Sequence, residues 1–155
     1  MSQEERFGTR DQSYSAWHRK KSTSRFIGLE KAQLLAMIDL DACPYVEYDD
    51  ESKDPLALIE VAIDVGQNSK PSTVTRKLAE LCNIPALVVL YKLDEDFPNP
   101  ANERFQDICS FRVKRIYPKE QKEWETLTPS EYAERLFRVR QWSADKKSVE
   151  NFPSA

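Results

Sequence analysis

Residues 38–67 read IDLDACPYVEYDDESKDPLALIEVAIDVGQ, a stretch that sets acidic side chains where aliphatic ones dominate. Ile38 and Leu40 alternate with Asp39 and Asp41, the two-residue period of a half-buried strand. Cys43-Pro44 marks a turn, YVEYD resumes as a strand, and DDESKDP is a polar reversal. LALIEVAIDV (56–65) is an almost continuous apolar run broken by Glu60 and Asp64, the pattern of a strand central in a sheet. Strand residues two apart share a face, about 6–7 Å from one another, so Asp39 and Asp41 point the same way. They fit either a metal site or the outward row of an amphipathic strand. An unpaired carboxylate at position 60 would cost several kcal/mol. Glu60 is therefore either functional or half of a salt bridge with Lys70 or Arg76.

Upstream, GLEKAQLLAM (28–37) combines good helix formers with an apolar stripe and predicts a short helix. SYSAWHRKKSTSR (13–25) places Trp17 and His18 beside Arg19, Lys20, Lys21 and Arg25. Downstream, Ser69 or Ser72 opens a helix through Val74, Leu78, Ala79 and Leu81 to about Asn83. IPALVVLYKL (84–93) is a second buried strand, and a strand–helix–strand run of this length predicts a right-handed crossover between parallel strands. DEDFPNPANERFQ (94–106) reads as a long loop with two prolines, and DICSFRVKRIYP (107–118) as an exposed, edge-like strand. TPSEYAERLFRVRQWSADK (128–146) starts a helix at Thr-Pro and carries a stripe through Tyr132, Leu136, Val139 and Trp142.

The order helix, strand, strand, strand, helix, strand, strand, helix predicts an α/β fold. Its centre is a mixed β-sheet, a three-stranded meander plus a crossover strand, flanked by helices. Residues 1–13 are expected to be mobile, 14–145 to form a single domain and 146–155 to fray.

At 155 residues, 40% hydrophobic and 10% aromatic, the chain can bury a substantial core. A net charge of −3 neither proposes nor excludes a nucleic-acid partner, so the clustering of basic residues matters more. Three glycines leave no Gly-rich phosphate loop. Cys43, Cys82 and Cys109 stand far apart and outside any CxxC pair, and His18 is the one histidine, which argues against structural zinc. A polar N-terminus and the absence of a long apolar run lead us to expect a cytoplasmic protein with no membrane contact.

Carboxylates converging from neighbouring strands repel unless a cation lies between them. Mg²⁺ or Mn²⁺, held by oxygen at about 2.0–2.1 Å, is the usual solution. Such an ion neutralises phosphodiester charge and acidifies a bound water. A metal-free reading is a small-molecule enzyme using Glu60 and Asp64, four apart on one strand, as a carboxylate pair. Arg19, Lys20 and Lys21, with His18 beside them, and Arg112 and Lys114 on one face of the 107–118 strand, are candidate phosphate contacts. Each run also fits a solvated face.

Over roughly residues 28–93 the chain resembles the core of the PD-(D/E)xK, or restriction-endonuclease-like, nucleases. Asp41 matches the family's aspartate, and Glu60 in LIEVA its following-strand acid. The resemblance implies a restriction-endonuclease-like fold, a metal site of Asp41 and Glu60 with Asp39 as auxiliary ligand, and cleavage of DNA. The family's lysine, two residues past the acid, is Ala62 here. Lys70 or Gln67, from the entrance of the next helix, would supply the missing group. Loss of that lysine equally fits a phage or bacterial accessory protein that keeps the fold and binds nucleic acid or a protein partner without cutting. A homodimer is compatible with either reading.

Overall fold

The computed structural model describes Ser13, Trp17 and residues 20–35 and 40–145, with the side chains of Lys20 and Ala144 left aside. The chain divides into two compact units, Met1–Asp39 and Leu40–Ala155. The stretches 1–12 and 146–155, within the segments expected to be mobile or frayed, lie outside the described residues, as do His18, Arg19 and Asp39.

In the first unit α1 spans Lys20–Ala32 and is interrupted at Gly28, whose φ of 81° and ψ of 161° are not helical. The helix thus begins earlier than the apolar stripe at 28–37 predicts. Gly28 breaks it because only glycine takes this backbone conformation without strain. Trp17 is 47% exposed and lies against Phe26, with ring centroids 5.9 Å apart.

The second unit is α/β. β1 (Tyr45–Glu47) and β2 (Lys53–Pro55) form a small antiparallel sheet, and β3 (Leu58–Ile63), β4 (Ala86–Asn99), β5 (Asn102–Tyr117) and β6 (Glu125–Leu127) form a mixed sheet in that order. β3 and β4 are parallel, joined across α2 (Thr73–Cys82), and the remaining pairs are antiparallel. α3 (Pro129–Ala144) follows β6.

The 107–118 strand, expected to be exposed and edge-like, belongs to β5 and lies between β4 and β6 with Phe111, Val113 and Ile116 buried. Two further features depart from the predicted meander-plus-crossover sheet. First, β1 and β2 do not join the main sheet. They are three residues long and mostly exposed, so they have no apolar face to bury against it. Instead Ala42 reaches the free edge of β3, through an antiparallel bridge to Ile59. Second, the segment predicted as a loop at 94–106 is the far end of a long β4–β5 hairpin that turns at Pro100-Ala101. Pro98 is tolerated because it sits between two register shifts, where the ladder is already interrupted.

The sheet buries both faces. Ile59, Leu87, Val89, Phe111 and Val113 pack with Leu127 and Val139, and Tyr132 and Leu136 of α3 close over them. The Phe111 and Tyr132 rings stack with centroids 4.1 Å apart. On the other face Leu58, Ala86, Val88 and Ile116 pack with Ala79 of α2 and Ile84. α3 starts in a full capping box: Thr128 accepts from the Glu131 amide while the Glu131 carboxylate accepts from the Thr128 amide. α2 ends at Asn83, whose left-handed φ of 54° lets its amide reach back to the last turn.

Candidate metal and phosphate site

Glu60 lies on the α2 face of β3, between Leu58 and Ala62, and is 7% exposed. Its pairing follows from the crossover. The loop leaving β3 brings Lys70 back over the strand, and Lys70 Nζ stands 2.6 Å from Glu60 Oε2. The first turn of α2 then lays Thr75 on the same spot, where its hydroxyl donates to Glu60 Oε1. Burial would push the Glu60 carboxyl up. The Lys70 ammonium and the Thr75 hydroxyl, with a smaller contribution from the Asp41 side chain, more than offset that and hold it below the usual range.

Asp41 arrives from the opposite edge. The Ala42–Ile59 bridge exchanges two backbone hydrogen bonds, Ile59 N–H to Ala42 O at 2.9 Å and Ala42 N–H to Ile59 O at 3.2 Å. In an antiparallel ladder the neighbours of a bridged pair also face each other, which sets Asp41 across from Glu60. Asp41 Oδ2 then accepts from the Val61 amide at 2.8 Å, so its carboxylate takes the place that a backbone carbonyl would fill in a continued ladder. Asp41 is exposed where Glu60 is buried.

The structure therefore gathers Asp41, Glu60 and Lys70 from three chain segments. Gln67 is otherwise engaged: its Oε1 accepts from the Val65 amide at 2.8 Å and its Nε2 donates to Ile63 O at 3.0 Å, closing the turn after β3. Arg112 is held by Asp64 in a two-pronged ion pair, with Nε to Oδ2 at 2.8 Å and Nη2 to Oδ1 at 2.7 Å. Arg112 also donates to Gln67 O at 2.8 Å. The pair drives the Asp64 carboxyl down to about 2, chiefly through the Arg112 hydrogen bonds. Asp64 is thus committed to Arg112. Lys114 is half-buried, with its ammonium 5.7 Å from the centre of the Trp124 ring. Lys21 is exposed on α1.

Thr75 escapes a sequence reading that takes the apolar stripe of α2 through Val74 and Leu81. Those two are 50% and 82% exposed, whereas Thr75 is 1% exposed. The helix is rotated by one position so that Thr75, Leu78 and Ala79 meet the sheet. The signal available is chemical: a hydroxyl one turn into the helix after a strand carrying a buried acid. Trp124 is the other side chain missed, on a loop between β5 and β6 that carries no periodic pattern.

Among the described residues no group of three or more His, Cys, Asp and Glu side chains is placed to hold a metal ion. Mg²⁺ differs from zinc here, because it is commonly held by one or two carboxylates with water and substrate phosphates completing the shell. Asp41 and Glu60 are two carboxylates of that kind, with both Glu60 oxygens hydrogen-bonded to Lys70 and Thr75. A larger cavity of about 360 Å³ opens at the other end of α2, lined by Tyr48, Asp54, Cys82 and Trp142 among others, and contains none of these residues. Among the described residues no helix is long and apolar enough to cross a membrane. No family model matches the chain, and no significant match arises among curated proteins or solved structures.

Proposed function

We propose that the chain is a metal-dependent nuclease of restriction-endonuclease-like type acting on DNA phosphodiester bonds. The observation that carries this reading is the placement of Asp41 across from Glu60 on the edge of β3, with Lys70 Nζ 2.6 Å from Glu60. Two carboxylates and a lysine in one place form the chemical set that the sequence resemblance implies, with the lysine delivered from the loop before α2 instead of from position 62. Asp41 and Glu60 would hold Mg²⁺ or Mn²⁺. When bound, the ion supplies charge neutralisation at the phosphate and makes water more acidic. Lys70 keeps Glu60 ionised and places a positive charge where a phosphate oxygen would approach. Asp41, tied to the Val61 amide, keeps its carboxylate oriented at the strand edge.

A second reading has its own support. Both Glu60 oxygens already have partners within the chain, Lys70 and Thr75, which fits a protein that keeps the arrangement for stability and binds nucleic acid or a protein without cutting. One assay divides the two. Purified protein is incubated with single- and double-stranded DNA in Mn²⁺ or in EDTA, beside Glu60→Ala and Asp41→Ala. Cleavage that needs Mn²⁺ and disappears in both variants supports the nuclease. DNA bound but uncut under every condition supports the accessory protein.

A further inference from the structure

A cavity of about 90 Å³ adjoins the Glu60–Lys70 pair, between the start of α2 and the β5–β6 loop. Its lining includes Ser69, Lys70, Ser72, Lys114 and Trp124, over a floor of Val88 and Ile116. A water needs roughly 10–15 Å³ of such space, so a tetrahedral oxyanion fits. Apart from Glu120, the polar side chains around it can donate hydrogen bonds. Lys70 is committed to Glu60, but Lys114 has no carboxylate partner among the described residues. The Ser72 side chain makes no capping hydrogen bond. The acid on the rim, Glu120, is turned to Arg76, 3.1 Å away, a guanidinium it shares with Glu80.

The position of Lys114 is fixed by register. Glu60 pairs with Val88 across the parallel ladder and Val88 pairs with Lys114 across the antiparallel one. The three therefore form one row on the α2 face, with Val88 between acid and base. The walls are pinned too, because the Trp124 indole N–H donates to Asn68 O at 2.8 Å and ties the β5–β6 loop to the loop before α2. A cavity held open in this way loses little entropy on binding.

We infer that this cavity is a phosphate subsite, with Lys114 as its principal cation and Ser72 as a hydroxyl donor, taking a phosphate group of a nucleic-acid strand beside the one at Lys70. That the phosphate belongs to nucleic acid rests on the proposed function. The capacity to bind phosphate does not. The group is either a terminal phosphomonoester or an internal phosphodiester, since the two present the same oxyanion.

The test uses ¹⁵N-labelled full-length protein in EDTA, with inorganic phosphate titrated at constant ionic strength against chloride. A saturable shift of the Trp124 indole signal is expected, assigned through Trp124→Phe. Lys114→Met and, separately, Ser72→Ala should weaken phosphate at least tenfold and severalfold respectively, while Lys122→Ala in the same loop leaves it unchanged. Should Lys114→Met fail to fold, Ser72→Ala decides. Oligonucleotides with a 5′-phosphate or a 5′-hydroxyl, bound in EDTA, identify the source: a Lys114→Met loss confined to the phosphorylated strand marks a terminal phosphate, and an equal loss on both marks an internal one. No saturable shift at Trp124, or one untouched by either variant, overturns the inference. Phosphate binding without DNA cleavage under any condition would leave the subsite standing and remove the nuclease, and cleavage without phosphate binding would do the reverse.

Discussion

Lys70 Nζ lies 2.6 Å from Glu60 Oε2, and the lysine retains 23% side-chain exposure against 9% for the acid. The pair is asymmetric: the carboxylate is buried and depends on the lysine, while the lysine keeps access to solvent. That asymmetry is what a site needs if its cation is to meet a ligand while its acid stays ionised.

Lys70→Met should therefore expose the cost of burying Glu60 alone. Loss of one partner of a buried pair costs about 3 kcal/mol, reduced here because Lys70 is partly exposed, so a loss of about 2 kcal/mol at pH 7 is expected in urea unfolding. The sign with pH follows from the direction of the Glu60 shift. In the intact protein the folded carboxyl is depressed, so its stabilisation is present above the ordinary glutamate range and falls away as pH drops through the folded value. Without Lys70 the same group moves upward, and the penalty should shrink as acid protonates it.

Asp41 has two roles that substitution can separate. Asp41→Asn retains an oxygen for the Val61 amide, whereas Asp41→Ala removes it. The alanine variant should lose about 1 kcal/mol and the asparagine variant little, by thermal or urea unfolding. Mn²⁺-dependent cleavage should vanish in both. Activity that tracks stability alone would assign Asp41 a purely structural role.

The Arg112–Asp64 pair sets an acid limit on the fold. With Asp64 depressed to about 2, its contribution is complete above the ordinary aspartate value near 4 and disappears as pH falls toward 2. Asp64→Asn should remove about 1 kcal/mol at pH 7, the linkage value reduced by solvent screening, and flatten the stability profile between pH 4 and pH 2, as followed by circular dichroism.

At the start of α3, Thr128→Ala removes the side-chain half of the capping box and should cost about 1 kcal/mol, with Thr128→Ser restoring most of it. α3 covers the Phe111–Val113 face of the sheet, opposite the face that carries Glu60, so neither variant should alter the site's affinity for metal or phosphate.

Much of this architecture was legible from pattern. The buried strands at 56–65 and 84–93, the crossover between them and the Thr-Pro start of α3 follow from apolar runs and capping chemistry that act locally. What failed to show was decided by partners distant in sequence. Pro98 and the acids around it read as loop, yet each strand of the β4–β5 hairpin supplies the other's hydrogen bonds beyond the end of the sheet. The apolar stripe turns Val74 toward the sheet and passes over Thr75, because hydrophobicity alone does not register that a buried carboxylate on β3 draws the hydroxyl inward. Asp41 and Glu60 stand out in the sequence as acids amid aliphatics, but the Ala42–Ile59 bridge that opposes them is one residue pair long, too short to leave a periodic signal.

Mn²⁺ binding followed by electron paramagnetic resonance tests the central claim most directly, because it asks whether Asp41 and Glu60 hold an ion before any substrate is chosen. One saturable Mn²⁺ per chain is expected, displaced by Mg²⁺, weakened at least tenfold in Asp41→Asn and in Glu60→Gln, and unchanged in Thr128→Ala. Free Mn²⁺ signal at every concentration, or binding indifferent to both carboxylate substitutions, would contradict it.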